Sequence, residues 1–268
     1  MSIFRNVVFV AALAGLVAGV VLAALQAFTT DQLILKAEVY ETAADAGGAA
    51  AAGHDHAAAP ADQAASGTEN MSTMVATPEA AAPAHEHDED AWSPADGAER
   101  FSYNVAANLV SGIGFALILL AASEFAGGIT GWRQGLFWGL AGFTVFTLAP
   151  GLGLPPELPA MPAADLGARQ IWWWGTVIAT AGGLALIAFR QSLPLAALAV
   201  VLIAAPHVIG APQPADYSTP IPEGLHHQFV VAVTVTNLVF WAVLGAVAGL
   251  LRARFLGAGE KSLRSSFA

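Results

Sequence analysis

The chain has 268 residues, of which 56% are hydrophobic and 11% charged, with a formal net charge of −10 and no cysteine. Its mean hydropathy is +0.61. Charge this sparse cannot cover a water-soluble surface, so a soluble domain is excluded, and nucleic acid is not an expected partner of so acidic a chain.

A helix that crosses a bilayer needs about 20 mostly apolar residues. Six stretches qualify, at roughly 6–28, 104–123, 134–150, 171–189, 193–209 and 229–251, the third and fifth being the shortest. Continuous apolar runs, rather than alternating segments of about ten residues, exclude a barrel. The expected fold is all-α: a polytopic bundle of six spanning helices in the lipid bilayer, or five if the first is cleaved. Arg5 before the first run and Ala23, Ala24 and Ala27 at its end fit a signal peptide. The run from Val7 to Leu25 exceeds the usual core of roughly 7 to 15 residues and favours a retained anchor. The chain then divides into 1–41 (first span and interfacial extension), 42–99 (loop), 100–255 (five-helix membrane domain) and 256–268 (tail).

Past the first span, Leu33, Ile34, Ala37 and Tyr40 recur at helical spacing, with Asp31, Glu38 and Glu41 between them, so the helix is expected to run on into the interface. From Thr42 to Glu99 there is no Leu, Ile, Phe, Tyr, Lys or Arg. Such sequence cannot bury enough apolar surface to offset the entropy of ordering and reads as disordered. Within it stand His54-Asp55-His56 and His85-Glu86-His87-Asp88-Glu89-Asp90. Imidazoles two residues apart, with carboxylates between and after them, can chelate a first-row divalent ion once the backbone turns. Nitrogen and oxygen ligands suit Co²⁺, Ni²⁺, Zn²⁺ or copper without choosing among them, and with no cysteine there is no thiolate ligand. Met71 and Met74 stand in the same loop. Low-complexity drift is the competing explanation.

Lys and Arg collect in cytoplasmic connections. With the N-terminus inside, Arg5, Arg133, Arg190, Arg252, Arg254, Lys261 and Arg264 are cytoplasmic, against Lys36, Arg100 and Arg169 outside, so both termini are expected in the cytoplasm. All seven histidines and eighteen of twenty acids then share the outer side. An outer surface that acidic raises the local concentration of divalent cations.

Polar groups at membrane depth are costly and mark either helix contacts or a path. Asn104, Asn108 and Ser111 share one helical face and are expected to point into the bundle, as are Gln26 and Asn237. His207 follows Pro206, whose ring frees a carbonyl that could assist a cation. His226 and His227 precede the last span on the same side, beyond a Pro-rich loop carrying Asp216. Gly127, Gly131, Gly135 and Gly139, with Gly15 and Gly19 and with Gly245 and Gly249, form small-xxx-small patterns for close helix packing. Trp172, Trp173 and Trp174 are expected in an interfacial aromatic belt. No phosphate-binding loop occurs, Gly259-Glu260-Lys261-Ser262 breaking its pattern, and no nucleophile–base spacing suggests an enzyme.

Gln26, Ala37-Glu38-Val39-Tyr40-Glu41, Pro155-Pro156-Glu157-Leu158-Pro159, Arg169-Gln170-Ile171-Trp172-Trp173, and Ala205-Pro206-His207 with Pro212, in that order, resemble the CbtA family, the larger membrane subunit of a bacterial cobalt transporter. The likeness covers the membrane part, whereas residues 42–99 look like an insertion. It implies cobalt uptake across the bacterial inner membrane, linked to cobalamin synthesis. It also implies a small one-span, histidine-bearing partner of CbtB type. No cofactor is expected, the divalent metal being the cargo. The resemblance carries over no established ligands. The metal-ligand candidates, read from position, are His54, His56, His85, His87, Asp88, Glu38, Glu41, Glu157, His207, His226 and His227. The expected function is capture of the ion by the outer loop and its uptake, and the alternative is a non-conducting metal-binding accessory or assembly protein.

Overall fold

The computed structural model describes residues 2–52, 94–190 and 192–255, and every regular element among them is helical. In chain order these are α1 (Ser2–Phe28), α2 (Thr30–Ala52), α3 (Ala98–Phe125), α4 (Trp132–Phe143), a π-helical turn (Thr144–Leu148), α5 (Ala149–Gly153), α6 (Leu166–Phe189), α7 (Leu193–Ile209) and α8 (Glu223–Phe255). Five units are long and apolar enough to cross a membrane: Phe4–Phe28, Ala98–Phe125, the continuous Trp132–Gly153, Leu166–Phe189 and Glu223–Phe255. The sixth apolar stretch is the 17-residue α7. At 1.5 Å per residue it spans about 25 Å, slightly less than the hydrocarbon core of about 30 Å.

The membrane core forms around α1. Val10, Ala11, Ala14 and Ala18 are fully buried against Ala116 and Leu120 of α3 and Leu244 and Ala248 of α8. Phe115, Phe146, Phe240 and Trp241 extend this core, the rings of Phe146 and Trp241 stacked with centroids 5.7 Å apart. α1 thus packs at the centre of the bundle.

Lipid offers helices no hydrophobic drive to associate, so contact depends on close packing, and the glycines supply it. A Cβ placed on Gly245 would lie 2.7 Å from Gly139 Cα, and one on Gly249 2.6 Å from the carbonyl oxygen of Gly131. α4 and α8 therefore touch backbone to backbone. Gly15 and Gly112 bring α1 and α3 equally close, and a Cβ on Gly19 would sit 2.7 Å from Asn108 O. A third seam joins α6 and α7, where a Cβ on Gly183 would come within 2.6 Å of Ile203 Cγ1. Gly127 departs from the expected pattern. It has φ +90° in the turn after α3, with nothing within 4 Å of an added Cβ, so it serves the turn and not a helix contact.

Two further features have local causes. Pro150 has no N–H for the carbonyl four residues earlier. The ladder widens before it, and Ala149 N–H reaches back to Thr144 O. The helix after the first span does continue, but as the separate α2: at Thr29 the hydroxyl donates to Leu25 O at 2.7 Å and the N–H to Gln26 O at 3.1 Å, closing α1 in a turn. α2 then runs to Ala52, past the expected start of irregular chain at Thr42. Alanine, the best helix former, dominates that stretch, and extending an existing helix needs no new nucleus.

At the end holding Phe125 and Phe255, Arg252 ties three elements together. Its Nε and Nη2 donate to Glu124 at 2.6 and 2.9 Å, and Nη1 donates to Ile129 O at 2.6 Å. Gly128, at φ +77°, lies directly against that guanidinium, where a side chain would collide.

Gly245→Ala should cost about 1–3 kcal/mol, the usual penalty for forcing an extra methyl into a packed contact. The loss is read as a lowered Tm in detergent. Gly114→Ala is the matched control, because nothing lies within 4 Å of its added Cβ.

Candidate functional site

At the opposite end of the bundle polar groups gather in two sets. The first is a ladder between α1–α2 and α3. Asn108 Nδ2 donates to Gln26 Oε1 at 2.6 Å. Further along, Asp31 interacts with Asn104 and Arg100. Beyond it, both Nη groups of Arg100 hold Glu38, Nη1 at 3.2 Å from Oε2, and Nη1 also meets Asp96 at 3.2 Å. Helical geometry explains the alignment: Arg100, Asn104 and Asn108 follow one another at four-residue steps, and Asp31 and Glu38 are seven apart, so each set shares a face. Burial pushes the Asp31 carboxyl above the usual carboxylate range, and Arg100 and Asn104 offset this only in part.

The second set is built from the connections. Leu33 and Ala37 of α2, Leu158 of the α5–α6 connection, Ile221 of the α7–α8 connection and Phe229 of α8 form a small core of their own. Above it Glu157 pairs with Arg169 at 3.0 Å, both side chains about three-quarters buried. Asp165 caps α6, its Oδ1 accepting from Ala168 N at 2.8 Å. One turn into α6, Trp172 Nε1 donates to Pro206 O at 3.1 Å, and its ring meets His207 edge-on with centroids 5.9 Å apart. His226 Nε2 lies 3.2 Å from Pro156 O, and Thr219 Oγ1 donates to Ala160 O at 3.1 Å. The short motifs around Glu38, Glu157, Arg169 and His207, scattered along the sequence, thus assemble at one end of the molecule.

A carbonyl can only accept, so the His226–Pro156 contact places the hydrogen on Nε2 and leaves the Nδ1 lone pair uncommitted when the ring is neutral. Metal-binding histidines are commonly oriented in this way. The adjacent His227 instead lines a hollow of about 400 Å³ with Gln228, Val231, Ala232 and Val235. Consecutive helical residues diverge by about 100°, which keeps the two imidazoles from acting as a chelating pair. Asp216, fully exposed, is held below the ordinary carboxylate range by its hydrogen bonds to the Ser218 side chain and backbone.

Glu38 and Glu157, expected as ligands, each face an arginine. Glu41 is half-buried and has no polar side-chain partner among the described residues. The carbonyl of Pro206 itself accepts from both Trp172 Nε1 and Gly210 N–H; the carbonyl that the proline ring leaves without its helical donor is that of Leu202. Among the described residues no three His, Asp or Glu side chains converge on a common point. His54, His56, His85, His87 and Asp88, with Met71 and Met74, lie outside the described residues. Two other expectations change: Ser111 is exposed, and Asn237 bonds within its own helix to Val233 O at 2.9 Å, whereas Asn104, though exposed, does meet Asp31 of α2. Trp172 is turned to Pro206 instead of simply lining an aromatic belt. Sequence reasoning missed Asp31, the two arginine partners and the Pro156 carbonyl. For Asp31 the seven-residue step to Glu38 was the available signal.

The raised Asp31 carboxyl means that the folded chain holds a proton the unfolded chain has already released. The contribution of this group to stability is therefore fully present below the ordinary carboxylate range and is lost as pH climbs through the raised value. Asp31→Asn should flatten that decline in Tm, measured across the acidic to neutral range.

The family model described as "Probable cobalt transporter subunit (CbtA)" matches residues 4–253, nearly the whole chain. No curated protein and no solved structure matches it. The motifs that carried the sequence resemblance lie within the matched span, and their meeting at one end of an all-helical membrane bundle agrees with that match: the chain belongs to the CbtA family.

Proposed function

We propose that the protein is the membrane subunit of a Co²⁺ uptake system of the bacterial inner membrane, in which the loop histidines collect the ion and the polar end of the bundle receives it. The observation that carries this reading is the family match over residues 4–253. The convergence of Glu38, Glu157, His207 and His226 at one end supports it. The word "subunit" in the family's description implies a complex, and a small one-span histidine-bearing protein of CbtB type is the partner the sequence resemblance suggests. Both termini are placed in the cytoplasm by the Lys and Arg distribution, with the His-bearing loop outside.

In this reading the cation first meets neutral imidazole and exposed carboxylate in residues 54–90. At the bundle, His226 offers Nδ1, with Nε2–H already anchored on Pro156 O. Glu38 and Glu157 are neutralised by Arg100 and Arg169, so the ion gains their charge only by displacing a guanidinium. That exchange makes each carboxylate a conditional ligand, useful for a site that must release its cargo. An inside-negative membrane potential contributes about 2.3 kcal/mol per charge per 100 mV, twice that for a divalent ion.

The arginine pairing, and the lack of three converging ligands among the described residues, favour a second reading: an accessory protein that holds metal without conducting it. Deleting residues 54–90 separates the two. A transporter keeps uptake at high metal concentration and loses it at low concentration, whereas an accessory capture protein loses its effect throughout.

Labelled Co²⁺ uptake by cells expressing the chain with its partner should exceed that of cells lacking it. Equal uptake, with insertion verified, removes the transport reading. Replacing His54, His56, His85 and His87 by Ala should raise the Co²⁺ concentration needed for half-maximal uptake. His226→Ala should lower the maximal rate. A reporter near position 70 should be accessible from outside the cytoplasm.

A further inference from the structure

A cavity of about 790 Å³ opens between α3, α4 and α6, at the end of the bundle away from the histidines. Phe125, Phe137, Ala141, Val177, Ala185 and Phe189 contribute to an almost wholly apolar wall. The cavity is open at its rim, where Phe137 is 72% and Phe125 96% exposed. Two arginines neighbour its lining residues in the chain. Arg133 is one helical turn before Phe137 on the same face of α4, and Arg190 directly follows Phe189 at the end of α6. Both are exposed, and neither forms an ion pair with a described residue. Glu124, the acid nearest in sequence to this mouth, is already held by Arg252.

From these features we propose that the cavity is a site for one anionic phospholipid of the surrounding leaflet, its acyl chain in the groove and its phosphate between Arg133 and Arg190. Length decides between a lipid and a transmembrane helix of a partner. From Phe189 to Val177 the lined face of α6 rises about 18 Å at 1.5 Å per residue, close to one leaflet of a hydrocarbon core about 30 Å thick. A partner helix would need a groove through both leaflets. Charge decides the headgroup: two guanidiniums without an ion pair among the described residues, that of Arg133 lying 5.5 Å from the Trp132 ring centroid, attract an anionic phosphodiester with no balancing cation, and basic pockets between helices commonly take such lipids. The site is independent of which ion the protein carries.

The test is retention of lipid through delipidating washes, read by native mass spectrometry after exposure to phosphatidylglycerol or phosphatidylcholine. The native chain should retain phosphatidylglycerol preferentially. Arg133→Gln with Arg190→Gln should weaken that retention by about fivefold for each arginine removed, the two changes lying on the surface where folding is not at stake. Ala185→Trp, which fills the groove, should abolish retention of both lipids. A photoreactive residue at position 137 should yield a lipid adduct in native membranes. Equal retention of the two lipids by the native chain, undiminished phosphatidylglycerol binding by the double arginine variant, or a protein adduct at position 137 would each overturn the proposal.

Discussion

The absence of side chains at a few helix crossings is the constraint on which the molecule depends. Where Gly139 faces Gly245, and Gly15 faces Gly112, the backbones approach so closely that no Cβ fits. In lipid this proximity replaces the hydrophobic effect as the source of cohesion, because dispersion and weak polar contacts fall away steeply with distance. The α4–α8 seam also fixes the position of α8, which at 33 residues is about 50 Å long and outreaches the hydrocarbon core at both ends. Its C-terminal Arg252 and its N-terminal His226 are thereby delivered to opposite surfaces, each meeting a connection between other helices.

The α1–α3 pair shows how a glycine contact turns into a polar one. Gly19 lies against Asn108 O, while the side chain of that same asparagine reaches Gln26. Past this point α1 ends, α2 begins, and the pairs become charged: Asp31 near Arg100, then Glu38 clasped by Arg100. The order follows dielectric. An amide pair is the least costly polar contact at depth, and an ion pair is tolerated where water can still reach it. Asp31 lies between these regimes, which is why burial dominates its titration.

Much of this was legible in the sequence. Apolar length located every spanning helix, since the bilayer leaves few alternatives to a helix for a long apolar run. The four-residue glycine spacing marked the α4–α8 seam because small residues have few other uses at that periodicity. Gly127 was misread because a turn glycine at the same spacing looks identical until φ is known. The extension of α2 was misread because the composition that denies a segment a core, alanine above all, is also the composition that favours helix. Pairings such as Glu38 with Arg100, 62 residues apart, were not legible at all. A single sequence shows that an acid and a base share one side of the membrane but not which of them meet.

That last gap bears directly on what a residue can do. Sequence position nominated Glu38 and Glu157 as free carboxylates at a cation's entrance, and on that basis they would dominate its electrostatics. Paired with Arg100 and Arg169, they contribute dipoles instead of net charge, and the field they exert falls off faster with distance. In the proposed transport role the long-range attraction for a divalent cation then falls to the chain's other acids, most of them in residues 42–99. In that role the bundle's own contribution is short-range: an oriented imidazole at His226, and carboxylates that open only when an arginine moves. In the proposed transport role, collection and discrimination accordingly fall to different parts of the chain, the first to the charge of the acidic segment and the second to fixed geometry above the α2–α8 core.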